Sequence, residues 1–372
     1  MRYPNRRASA GAPETVSTLE IPGTVPTWKP MNPIWQDYLR TKNVVVRDDK
    51  VTNFGQPPAE LAALAGGTVL CDLSHLGLIG VAGDDAAEFL QGQLSCDVRQ
   101  AGPGQALYAG YCSPKGRLLA TFLLWRAGEC FYLQLPATLR EVIEKRLRMF
   151  VLRARVKLGD ASDSSIRIGL AGPGAAAALT EVAGAVPSGR LALAHADDTT
   201  VIRLDDQRFE LLAPPERAMF LWDTLARHAT PAGAAAWDWH EIRAGIPVVL
   251  PATQDQFVPQ MANLELIGGV SFQKGCYPGQ EIVARTHFLG RLKRRMYLAH
   301  VDSEVAPAAG DELYAPDTPG QAIGTVVNAA PAPGGGFDLL AVAQMTSAET
   351  GRLSWREPVG PVLRLLPSPY PL

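Results

Sequence analysis

The sequence lacks paired cysteines. Its five, Cys71, Cys96, Cys112, Cys130 and Cys276, are odd in number and widely spaced, and no Cys-x-x-Cys occurs. That argues against a disulfide framework and against a closed zinc site, and it points to a reducing, cytoplasmic setting. Net charge is lacking too: the formal value is -2. Bulk charge therefore predicts neither nucleic-acid nor membrane partners, and any anion site must be a local patch. No apolar run could span a bilayer without meeting a charge or a helix breaker. There is no His-x-x-x-His pair, no P-loop and no Gly-x-Ser-x-Gly elbow. The glycine turn AGPGAAAA at 171–178 lacks the third glycine and the acidic partner of a dinucleotide fingerprint.

What is present is an ordinary globular mix, 47% hydrophobic and 19% charged, over 372 residues. That length predicts two or three domains. Residues 1–30 are rich in Pro, Ser, Thr, Gly and Ala and have no apolar h-region, so they read as a mobile tail rather than a secretory signal. The folded part is expected to start near Met31, where Asn32-Pro33 offers an N-cap and a first helical residue.

Residues 31–160 read as a first α+β domain, interleaved with part of 230–290. It holds a strand at 76–81 and a helix opening at Asp85 with Glu88 at capping-box spacing. A hairpin over 117–135 follows, then a helix burying Leu139, Val142, Ile143, Leu147 and Phe150, then a strand over 151–158. Residues 161–290 read as a second α+β domain, with strands at 165–170, 200–204 and 208–212 and helices at 175–182 and 215–228. After residue 290 only short strands separated by Pro and Gly turns remain. Residues 291–372 are therefore expected to form a small β-barrel or sandwich.

The stretch QKGCYPGQEIVART, 273–286, carries the strongest chemical signal. If Pro278 is the first helical residue, Tyr277 is the N-cap, Cys276 lies just outside, and Gln280 can reach back to the cap amide. The helix N-terminus and Lys274 would then both favour thiolate at Cys276. The same pattern also suits a plain capped turn with an incidental cysteine. Arg285, Arg291, Lys293, Arg294 and Arg295 form a basic cluster, and seven basic residues lie between Arg140 and Lys157. Each set reads as an anion site, for a folate glutamate tail, phosphate or RNA backbone, or as a solvated face. Trp237, Trp239 and His240 precede a C-cap at Gly245, and the tryptophans could stack on a flat heterocycle or fill a core.

These residues carry a resemblance. Phe257-Val258-Pro259-Gln260, Asn263-Leu264, Gly269 and Ser271-Phe272 lead into KGCYPGQEIVAR, and the run closely resembles YgfZ-type folate-binding proteins, relatives of the glycine-cleavage T protein. GLIGVAGDDAAEFLQGQLSCDV, PKGRLLATFLLW and AAWDWHEIRAGIP extend it over most of the chain beyond about residue 70.

The resemblance implies an α+β fold of three domains around a central channel, the last a β-barrel. It implies tetrahydrofolate as ligand and a role in assembling or repairing iron–sulfur clusters, with effects on cluster-dependent tRNA-modifying enzymes. Cys276 would be the functional thiol, supported by Lys274, and a possible ligand of a transient cluster completed by a client or assembly protein. Trp237, Gln280 and Arg243 would lie at the folate.

Three departures accompany the match. Ala120-Thr121 stands where aminomethyltransferases carry an acidic pair, so classical aminomethyl transfer is not expected. Arg243 stands where folate-binding relatives tend to have an acid. Leu76 stands where some place an aromatic. The competing readings are a folate-dependent one-carbon transferase and an RNA-binding module built on Arg285–Arg295.

Overall fold

The computed structural model describes residues 31–372 except 49, 184, 185 and 197; the expected tail at 1–30 lies outside the described residues. Helix Pro33–Arg40 starts as its sequence dictates, with Asn32 Oδ1 accepting the Ile34 and Trp35 amides at 3.1 and 3.3 Å. It buries Trp35, whose Nε1 donates to Asp72 at 2.7 Å.

Beyond a two-stranded hairpin of Val45–Arg47 and Lys50–Asn53, three larger sheets organise the rest. The first has five antiparallel strands in the order Leu107–Cys112, Leu118–Ala127, Cys130–Pro136, Leu76–Ala82, Lys157–Asp160. The first eight residues of its longest strand, LLATFLLW, are all buried, because both faces of the sheet are covered. The second sheet has six strands: Leu193–Ala196, Thr199–Arg203, Arg208–Ala213, Ile166–Ala171, Val69–Asp72 and Thr230–Ala232. All pair antiparallel except the last two, which run parallel. Val69–Asp72 precedes the first sheet in sequence but completes the second, so the two units interlock.

The third sheet closes as a six-stranded barrel over Arg294–Val301, Phe337–Gln344, Gly324–Pro331, Glu312–Tyr314, Leu353–Trp355 and Val362–Leu365. Alternation divides its residues. Ala299, Val301 and Leu339 fill the interior, while Met296, Leu298 and Leu340 join the large core shared with the first sheet and with helix Ala234–Arg243.

Several local expectations shift. Asp85 precedes helix Ala86–Gln91 but makes no side-chain cap; its carboxylate accepts the Arg155 amide and guanidinium instead. In helix Ala137–Arg148 and its exit, Val142 and Phe150 are exposed, not buried. The strand expected over 151–158 begins only at Lys157, since Leu152 sits at φ 47° and breaks the extended run. Residues 246–279, within the 230–290 stretch expected to interleave in part with the first domain, contain no strand and pack on the first sheet: Leu118 N donates to Phe257 O, Asp255 N to Leu118 O and Ser271 N to Ser95 O.

Candidate functional site

Helix Gln280–Phe288 begins two residues later than the Pro278 start expected from sequence. Gly279 is its N-cap at φ 78°, a left-handed conformation that side chains disfavour, and there is no side-chain cap. Gln280 is thus the first helical residue and cannot act as a third-position box partner. A Cβ at Gly279 would meet Ser113 O at 2.4 Å and Gly116 Cα at 2.5 Å. The glycine lets the motif press backbone to backbone against the Lys115-Gly116 turn. Val283 is fully buried, and Gln260 Nε2 donates to its carbonyl at 2.7 Å.

Cys276 is exposed on the loop before this helix. The Lys274 ammonium donates to the carbonyls of Gln91 and Leu94 and lies 5.0 Å from the Tyr277 ring centroid. Burial lowers its pKa to about 8, although Cys96 and Asp97 pull the other way. Lys274 therefore pins the loop to the first sheet's 91–94 turn. Phe272 stacks on His287 at 3.8 Å, so the loop carrying Cys276 runs back along the helix.

The second feature is a cleft between the two open sheets, with a cavity volume of about 80 Å³. Leu76, Phe122, Leu135 and Trp237 give it apolar walls; Tyr108, Gln134, Glu210 and Glu241 give it polar ones. Gln134 Nε2 donates to Glu210 Oε2 at 2.9 Å, yet Gln134 Oε1, Glu210 Oε1 and the Tyr108 hydroxyl are buried without a partner. Such orphans cost about 1–3 kcal/mol each unless something meets them. Burial pushes Glu210 up to about 7, against the Gln134 bond and the Arg167 charge. Burial also raises Glu241, opposed by Arg208, which pairs with both Glu241 and Asp205.

Helical periodicity sorts Ala234–Arg243. Trp237 and Glu241, four apart, face the cleft. Trp239 and Arg243, also four apart, face the barrel: Trp239 Nε1 donates to Asp338 Oδ2 at 2.9 Å, and Arg243 Nη1 lies 3.5 Å from the same atom. Of the three residues expected at the folate, the structure therefore brings only Trp237 to the cleft. Arg243 is turned away, and Gln280 is not among the lining residues. His240 packs edge-on to Trp239 at 5.0 Å, and burial with the Arg208 charge lowers its pKa to about 4, keeping it neutral.

Sequence reasoning missed Glu210, Gln134 and Glu241. The available signals were a lone acid inside the otherwise buried strand RFELLA and the four-residue step from Trp237. Leu76 and Thr121 do line the cleft. The Thr121 hydroxyl donates to Pro247 O at 2.9 Å and accepts from Val249 N at 3.2 Å, so it ties down the chain beyond the helix. Ala120 is fully buried.

The basic cluster shrinks. Arg295 is held by Asn263 and Glu265, and Arg285 pairs with Glu281 at 2.8 Å. Arg291, Lys293 and Arg294 have no ion-pair partner among the described residues.

Cys71, Cys96 and Cys112 are buried and Cys130 is half-buried. Burial pushes both Cys96 and Cys112 up to about 12. Among the described residues no group of three His, Cys, Asp or Glu side chains could hold a metal ion. These residues do not fit a resident iron–sulfur cluster, which needs several thiolates. No helix among the described residues is long and apolar enough to cross a membrane.

Comparison with known proteins agrees with this architecture. Residues 50–271 match the family model for the GCVT N-terminal domain, a span that includes the cleft and stops short of Cys276. The tRNA-modifying protein YgfZ of Shigella boydii serotype 4 (strain Sb227) is 33% identical over 246 residues, covering 66% of this chain and 75% of that protein; the same figures hold for YgfZ of Escherichia coli O157:H7 (strain EC4115 / EHEC). The crystal structure of the glycine cleavage system aminomethyltransferase T from Bartonella henselae superposes with a TM-score of 0.71 at 17% identity, over 92% of this chain and 97% of that one. The chain belongs to the YgfZ family, built on the fold of the glycine-cleavage T protein.

Proposed function

We propose that this protein binds tetrahydrofolate in the cleft between the two sheets and serves iron–sulfur cluster assembly or repair through Cys276. The carrying observation is the buried, unpartnered set of Glu210 Oε1, Gln134 Oε1 and the Tyr108 hydroxyl beside Trp237. A pterin edge offers adjacent amino and ring N–H donors, which suit paired acceptors, and its flat ring suits an aromatic wall. Bound there, tetrahydrofolate would supply a one-carbon acceptor or a reductant. Glu210 and Gln134 would hold the ring edge, and Trp237 would limit its plane.

A cluster would be cargo, because Cys276 alone cannot hold one. Its exposure suits contact with a partner's ligands. The curated relatives are described as tRNA-modifying, which fits an indirect effect through cluster-dependent tRNA-modifying enzymes in the cytoplasm.

Aminomethyl transfer is disfavoured, since Ala120 carries no acid and the Thr121 hydroxyl is committed to backbone. Direct RNA binding by the basic cluster is weakened by the internal pairing of Arg285 and Arg295.

The deciding measurement is calorimetric titration with tetrahydrofolate. Wild type should bind, and Glu210→Ala should weaken binding on the order of tenfold or more while keeping the fold, a loss of at least one charge-assisted hydrogen bond. Equal affinity in the variant would remove the cleft from the account. In parallel, Cys276→Ala should fail to rescue a deletion strain while still binding folate; full rescue would remove the thiol.

A further inference from the structure

The end of helix Gln280–Phe288 is unusual for a soluble surface. Phe288 is 66% and Leu289 84% exposed, side by side. Beneath them the Phe272–His287 stack holds the surface in shape, with Phe288 edge-on to both rings at 5.9 and 4.7 Å. Immediately beyond lie Arg291, Lys293 and Arg294, the three cations of the basic cluster without an ion-pair partner among the described residues. An exposed apolar tip on a rigid base, rimmed by one sign of charge, is the anatomy of a binding surface.

We propose that this face docks a protein partner that presents an apolar anchor ringed by carboxylates. Charge decides among the occupants. A second copy docking through the same face would bring the same three cations face to face. Residues 1–30 of this chain carry four basic and two acidic residues and so are mismatched. RNA would satisfy the charge and could stack a base on Phe288, but it would leave Leu289, the more exposed of the two, idle, because an aliphatic side chain gives bases no stacking surface. An acidic protein surface uses both parts: the anchor supplies affinity and the rim steers the approach.

The face also has a relation to the thiol. The Phe272–His287 stack fixes the loop that bears Cys276 along the same helix, so a partner seated on Leu289 is held beside that loop. The proposal rests on the reading of Cys276 as acting on a partner, and it names the surface that would deliver one.

The test is photo-crosslinking of the full chain in cells with Leu289→p-benzoylphenylalanine. The expected result is a protein adduct of discrete mass, identified by mass spectrometry and joined near a cluster of Asp and Glu. Its yield should drop on the order of tenfold in the Arg291→Glu, Lys293→Glu double variant, as loss of electrostatic steering demands. It should persist in Cys276→Ala. A nuclease-sensitive adduct, an adduct of twice the chain's own mass, a yield indifferent to the charge reversal, or no adduct at all overturns the proposal. Tetrahydrofolate titration of the same double variant should match wild type, which separates failure of this surface from failure of the cleft.

Discussion

Glu210 is the residue whose chemistry is most sharply set by its surroundings. It is fully buried, and burial raises its pKa from the ordinary carboxylate range to about 7. A raised folded-state pKa means that the acid's stabilising contribution is complete below its unfolded value near 4.5 and is lost as pH rises through 7. Glu210 alone should therefore take roughly 3 kcal/mol from the stability of the ligand-free wild type between about pH 4.5 and pH 7.5, at 1.36 kcal/mol per pKa unit. Glu210→Gln should flatten that slope and be the more stable protein at pH 8; urea melts across pH check this, and parallel slopes in both proteins would contradict it. Glu210 was legible only as part of a strand, because periodicity reports which face is buried and says nothing of which buried polar atom lacks a partner. Trp237 was legible as a candidate because its size and its place before Gly245 are sequence facts. Its tight seat was not: a Cβ at Gly169 would lie 2.4 Å from its ring, and that approach comes from a strand nearly seventy residues away.

Among elements, most strands and helices followed their hydrophobic patterns, Val142 and the strand expected over 151–158 excepted, and the hairpin Leu118–Pro136 and the closed barrel stand where turn chemistry puts them. Errors gathered at helix starts and short pieces. The strand Leu353–Trp355, three residues long, gave too little pattern to read, and the motif helix begins at Gln280 because Gly279 turns left-handed. That start rests on a tertiary contact, the packing of Gly279 on Ser113 and Gly116, which local capping rules cannot foresee. Gly279→Ala places a methyl 2.4 Å from Ser113 O on a backbone that alanine disfavours, so the loop must move. The expected cost is about 1–3 kcal/mol, typical of forced overpacking and strain. Hydrogen exchange should rise across 271–283 and stay unchanged in the barrel. Protection equal to wild type over that stretch would show that the contact does not hold the Cys276 loop.

At the scale of the molecule, the described residues from Met31 to Leu372 form one compact unit. The joint adds to the apolar core shared by Met296, Leu298 and Leu340 a polar clasp centred on Asp338, a buried barrel residue. Its Oδ1 meets His300 Nδ1 at 2.8 Å, while its Oδ2 accepts Trp239 Nε1 and approaches Arg243. The C-terminal Tyr370 adds a second clasp by donating its hydroxyl to Gly245 O at 2.7 Å. Both clasps grip the C-terminal half and exit of helix Ala234–Arg243, whose other face lines the cleft, so the barrel sets the position of Trp237 and Glu241 without contributing to the cleft's lining. Asp338→Ala strips the acceptor from an indole and leaves His300 and Arg243 without their shared anion. A loss of about 3–5 kcal/mol is expected for breaking a buried charged network at one partner. Because the damage falls at the joint, calorimetry should show one transition in the wild type and two in the variant, with the barrel melting apart from the paired sheets. Tetrahydrofolate affinity should fall as helix Ala234–Arg243 loosens, although Asp338 is not among the residues lining the cleft. A variant that still melts as one unit with unchanged affinity would mean that apolar packing of Met296, Leu298 and Leu340 alone couples the barrel to the cleft.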